Sequence, residues 1–86
     1  MKTEAQICRE ALQVQDAPNL AGVLTSFKEN LCDLRTHLGG DWDKSNRHPA
    51  MYLFAAQVLY LTGGDMVDVN KYSDATAECR RIAEGK

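Results

Sequence analysis

Cys8, Cys32, Cys79, His37 and His48 carry the atoms of a soft-metal site or a nucleophilic centre, so metal and thiol chemistry are the first readings to weigh. Structural zinc sites draw their ligands in close pairs that preorganise two corners of a tetrahedron. Here the nearest pair is Cys32 and His37, five residues apart, and on a helix that separation turns the two side chains to different faces. No metal and no cofactor are expected. A catalytic thiol needs a lowered pKa and an oriented base beside it. Cys32 falls in mid-helix, where no terminal dipole assists it, and all three cysteines fall in apolar helical patterns, so they read as small buried hydrophobes.

Asp41 and Asp43 flank Trp42 and could form a carboxylate pair, but in a loop they lack the desolvation that separates two pKa values. Gly39-Gly40 and Gly63-Gly64 match no phosphate-cradling spacing and read as helix stops. No reaction is specified, and an enzyme is not expected.

Recognition of a partner is the remaining class. Trp, Arg, Tyr and His anchor protein interfaces because they combine contact area with a directional polar tip. Trp42, Arg47 and His48 lie within seven positions of one another, and Tyr52 follows. The candidate partner-binding set is therefore Asp41, Trp42, Asp43, Asn46, Arg47, His48 and Tyr52. The competing reading has Trp42 folded over the core as a lid, with Asn46 and His48 bonded to backbone at a helix start. A second candidate, the acidic rim of Asp65, Asp68 and Asp74 interrupted by Lys71, reads better as a solvated face.

The elements that must position these residues are helical. Thr3 with Gln6 forms a capping box, and Ile7, Cys8, Ala11, Leu12 and Val14 make an apolar stripe. Asp16-Ala17-Pro18-Asn19 breaks the chain and caps a second helix. Its apolar positions Leu20, Leu24, Phe27, Leu31, Leu34 and Leu38 step by four and three, predicting a narrow packing seam that ends at Gly39-Gly40. Pro49 suits a first helical position, with His48 as the cap. From Ala50 to Leu61 the chain is apolar nearly all round, which predicts a central, buried helix. Thr62-Gly63-Gly64 stops it, and Val69, Tyr72, Cys79 and Ile82 mark a fourth helix capped by Asn70 or Ser73. The expected fold is all-α: one domain over residues 1–86, with helices near 3–15, 19–38, 49–62 and 70–84 packed as a bundle or an orthogonal array.

Composition agrees with that expectation. The chain has 86 residues, 44% hydrophobic and 26% charged, which suits a small globular domain with one core. A net charge of −2 disfavours sequence-independent nucleic-acid binding, which requires excess Lys and Arg. The longest apolar run is too short for a membrane span. With three cysteines and no secretory leader read ahead of them, a reducing cytoplasm is the expected setting.

The runs Asn19-Leu20-Ala21-Gly22-Val23, Asn46-Arg47-His48-Pro49 and Leu61-Thr62-Gly63 carry a resemblance. The chain resembles a group of short bacterial and phage-associated helical proteins with N-L-S-G-V in one helix, N-x-H-P opening the next and an L-T-G stop. Ala21 stands where that group has Ser, and Pro18 where it has Cys. The resemblance supplies no activity. It implies an accessory protein of a phage or mobile element that binds and occludes a host or defence protein. The alternatives are a self-associating helical homodimer and, last, a metal protein or enzyme.

Overall fold

A computed structural model describes residues 2–40, 48–64 and 68–85. Four helices account for nearly all of them: α1 (Glu4–Asp16), α2 (Leu20–Leu38), α3 (Pro49–Leu61) and α4 (Val69–Ala83). The fold is a small all-α domain, and among the described residues there is no strand.

Local chemistry sets each helix end. Thr3 and Gln6 form the reciprocal capping box of α1, and the Asn19 side chain accepts from the Gly22 amide at 2.9 Å to start α2. The Gly39 amide bonds the Arg35 carbonyl to close α2, at a φ of 57° that a side chain rarely adopts. At the end of α3 the Gly63 and Gly64 amides bond the carbonyls of Tyr60 and Leu59, at 3.3 and 2.8 Å, with Gly63 at φ 74°. That is the Schellman arrangement, in which crossed bonds satisfy the last free carbonyls of a helix. Helix α4 starts earlier than expected. Asp68, rather than Asn70 or Ser73, is its cap, because Oδ1 of Asp68 accepts from the amides of both Asn70 and Lys71, at 2.9 and 3.1 Å.

Packing explains the composition of each helix. Both α1 and α3 touch all three other helices, whereas α2 and α4 lie on opposite sides of that pair and do not touch each other. Of the two, α3 is the more enclosed: it buries Ala50, Met51, Leu53, Phe54, Ala56 and Gln57, whereas α1 buries Ile7, Cys8 and Ala11 and keeps Glu4, Gln6, Arg9 and Gln13 on an exposed polar face. Gln57 is accommodated by donating through Nε2 to the Tyr72 hydroxyl at 2.6 Å. The core gathers Ile7, Cys8 and Ala11 from α1, Val23 and Leu34 from α2, Leu53 and Phe54 from α3, and Ala75 and Cys79 from α4. Phe27 stacks on Phe54 with ring centroids 5.9 Å apart.

Two sequence expectations are corrected. On α2, Phe27, Leu31, Leu34 and Leu38 of the expected row pack on the core, but Val23 and Asn30 are buried beside them while Leu20 and Leu24 are exposed. The buried stripe therefore leaves the expected row in the first two turns of the helix, and it includes a polar residue. Cys32 is exposed, because it lies off that stripe, while Cys8 and Cys79 are buried as expected.

Candidate functional site

Contacts across the bundle assign each helix terminus to one of two ends. The Lys2 amide donates to Asp33 and the Lys2 carbonyl meets His37, so the start of α1 lies beside the end of α2. His48 meets Glu4, which brings the start of α3 to the same place. This is the terminal end. The opposite, turn end holds the connections after α1 and α3, together with the first turns of α2 and α4.

Of the sequence-nominated set, Asp41, Trp42, Asp43, Asn46 and Arg47 lie outside the described residues. His48 and Tyr52 are described, and both are engaged by the fold. His48 is only 8% exposed. Its Nδ1 accepts from the Ala50 amide at 3.1 Å, so in that arrangement the proton sits on Nε2, which donates to Glu4 Oε1 at 2.8 Å. One imidazole thus caps α3 and pins it to the first turn of α1. Tyr52 is half-buried and packs against the core.

Sequence reasoning missed the polar network beside this pair. Asn30 is fully buried on α2, and its Oδ1 accepts from Lys2 Nζ at 3.2 Å. Lys2 Nζ also donates to Glu10 at 2.9 Å, and Glu29 lies 3.8 Å away. The Glu10 carboxylate raises the Lys2 ammonium above its ordinary pKa, with Glu29 and Asp33 adding to the effect against a small desolvation cost. The Nδ2 of Asn30 has no hydrogen-bond partner among the described residues. Alongside runs an open groove of about 220 Å³ lined by Lys2, Gln6, Arg9, Glu10 and Gln13, polar and ungated. No group of three or more His, Cys, Asp or Glu among the described residues is placed to hold a metal ion.

The turn end differs in kind. Among the described residues its large exposed apolar side chains are Leu20, Leu24, Leu59, Tyr60 and Val69, with Tyr60 72% and Val69 66% accessible. Leu20 and Leu24 share one face of α2, one helical turn apart. Leu59 and Tyr60 close α3, and Val69 opens α4. Scattered exposed leucines need no explanation, but five large apolar residues contributed by three helix termini at one end of a small domain do. No signal in the hydrophobic period distinguishes them, because they continue the same patterns as the core. Comparison with protein-family models, with curated proteins and with solved structures returns no match. No described helix is long and apolar enough to cross a membrane.

Proposed function

We propose that this chain is a small, non-catalytic interaction module of the cytoplasm that binds a protein partner and occludes it. The observation that carries this reading is the turn end, where Leu20, Leu24, Leu59, Tyr60 and Val69 are each exposed. An apolar surface of that kind gains free energy when covered, while the domain beneath it already has its core. The segment Asp41 to Arg47 is the second contact in this proposal, since its Trp and Arg are the residue types that anchor interfaces. The resemblance to phage-associated helical proteins supports a host or defence protein as that partner.

Affinity capture with three forms of the chain tests the reading: the parent, Leu24→Lys with Tyr60→Lys, and Trp42→Ala with Arg47→Ala. A stoichiometric partner that the parent retains and the turn-end variant loses is the expected result. Both substituted turn-end residues are exposed, so the folded state should change by no more than about 0.5 kcal/mol. Recovery of the same partner by all three forms would remove both surfaces from the proposal.

A second reading, self-association, is favoured by one feature: four of the five exposed residues belong to α2 and α3. In a two-fold dimer the same patch would face itself. Solution mass against concentration separates the readings, because a strict monomer removes the dimer and a dimer dissociated by Leu24→Lys with Tyr60→Lys supports it.

A further inference from the structure

His48 is held on both sides of its ring, and each bond requires a particular protonation state. The Ala50 amide, 3.1 Å from Nδ1, can only donate, so Nδ1 must present a lone pair. The Glu4 carboxylate, with Oε1 2.8 Å from Nε2, accepts, so the one ring proton sits on Nε2. The neutral imidazole satisfies both partners at once. A second proton can enter only at Nδ1, where it would set one N–H against another. The imidazolium therefore cannot cap α3 in this arrangement, although its charge strengthens the bond to Glu4.

The other helices are started by groups of different acidity. Thr3 and Asn19, the caps of α1 and α2, do not titrate as acceptors, and Asp68, the cap of α4, is a carboxylate, a group that loses its charge only in far more acidic solution. Imidazole is the side chain that charges near neutral pH. Nor does α3 hold a replacement. Ala50 lies in the first turn, where amides have no carbonyl partner within the helix, and that turn contains no acidic residue.

We propose that His48 is a proton-sensitive cap: in mildly acidic solution its imidazolium releases the Ala50 amide, loosens the first turn of α3 and stays tied to Glu4 as an ion pair. Glu4 is the charged group that the ring meets on α1. From α2 the terminal end also receives Asp33 and His37, both bonded to the backbone of Lys2, and Arg35; from α4 it receives Arg80, Arg81 and Glu84. Arg47, the neighbour of His48 in sequence, lies outside the described residues. Losing the cap and strengthening the ion pair act on the folded state in opposite directions. The effect is thus one of local order in α3, not of global unfolding.

Nuclear magnetic resonance tests this on the full chain carrying His37→Gln, which leaves His48 as its one histidine. The ring nitrogen shifts and the protection of the Ala50 amide against hydrogen exchange are followed from about pH 8 to about pH 5, where an imidazole charges. Protection of Ala50 should fall about fivefold with the same midpoint as the ring, the change expected for loss of one cap. The Gly22 amide, capped by Asn19, should keep its protection. Adding Glu4→Gln should move the midpoint to lower pH, and adding His48→Asn, which keeps an acceptor that does not titrate, should leave Ala50 protected throughout. A ring that charges while Ala50 stays protected overturns the proposal, as does a ring that stays neutral over the whole range. Equal losses at Ala50 and Gly22, an unmoved midpoint in Glu4→Gln, or the same loss in His48→Asn also overturn it.

Discussion

The two ends of this bundle are finished in different ways. At the terminal end, directional bonds close the structure: His48 bridges Ala50 and Glu4, Lys2 joins Glu10 and Asn30, and Asp33 and His37 hold the backbone of Lys2. At the turn end the backbone is equally well closed, by the Asn19 cap, the Asp68 cap and the glycine motif after α3, but the side chains above it are apolar and uncovered. Closing the backbone and covering the surface are thus separate problems. The terminal end uses its polar groups for internal order, whereas the turn end leaves large apolar side chains exposed among the described residues.

The first way to probe this contrast is to remove what both ends share. Phe54 is fully buried on α3, stacked on Phe27, and touches a core to which all four helices contribute. Phe54→Ala should destabilise the domain by about 3 to 5 kcal/mol through lost transfer energy and the cavity left behind. Denaturant unfolding followed by far-ultraviolet circular dichroism gives the value. A loss below about 1 kcal/mol would mean that the core is not the common support of the two ends.

A smaller effect isolates the terminal end. His48→Ala removes a helix cap and a side-chain bond to Glu4, and should cost about 1 to 2 kcal/mol. His48→Asn preserves an acceptor for the Ala50 amide, so it should recover a measurable part of that loss. Equal losses in the two variants would assign the effect to the tie with Glu4 and not to the cap. Exchange of the amide hydrogens in the first turn of α3 distinguishes these outcomes residue by residue.

Much of this fold is legible in the chain because helix ends are written locally. Thr3 with Gln6, Asn19, His48 with Pro49, and Gly63 act on atoms within a few residues of themselves, and each does so in the structure. The all-round apolar character of α3 likewise follows from its being surrounded. What period alone cannot determine is which of two adjacent stripes faces the neighbour. On α2 the expected row holds for Phe27, Leu31, Leu34 and Leu38, but packing buried Val23 and Asn30 in place of Leu20 and Leu24. Asn30 is intelligible only once Lys2, just ahead of α1, is known to approach it, and the Glu4–His48 pair spans 44 residues. For the same reason the exposed leucines of the turn end were indistinguishable from core in the sequence. The Asp41 to Arg47 part of the nominated site falls outside the described residues, so the geometry speaks only for His48 and Tyr52.

Asn30 offers the smallest and sharpest test. It is fully buried, its Oδ1 accepts one bond from Lys2, and its Nδ2 has no partner among the described residues. An amide in that state carries the desolvation cost of two groups and recovers it for one. Leucine has the same branched outline and no polar atoms, and Lys2 would retain Glu10 as a partner. Asn30→Leu should therefore raise stability by about 1 kcal/mol, measured by denaturant unfolding beside the parent. The polar residue would then serve specificity, because a bond from Lys2 to Asn30 favours the rotation of α2 that buries Val23 and Asn30 over one that buries Leu20 and Leu24. If that is its role, the stabilised variant should show broader or doubled amide resonances along α2. A variant that is less stable than the parent would show instead that the terminal end depends on Asn30 for its strength.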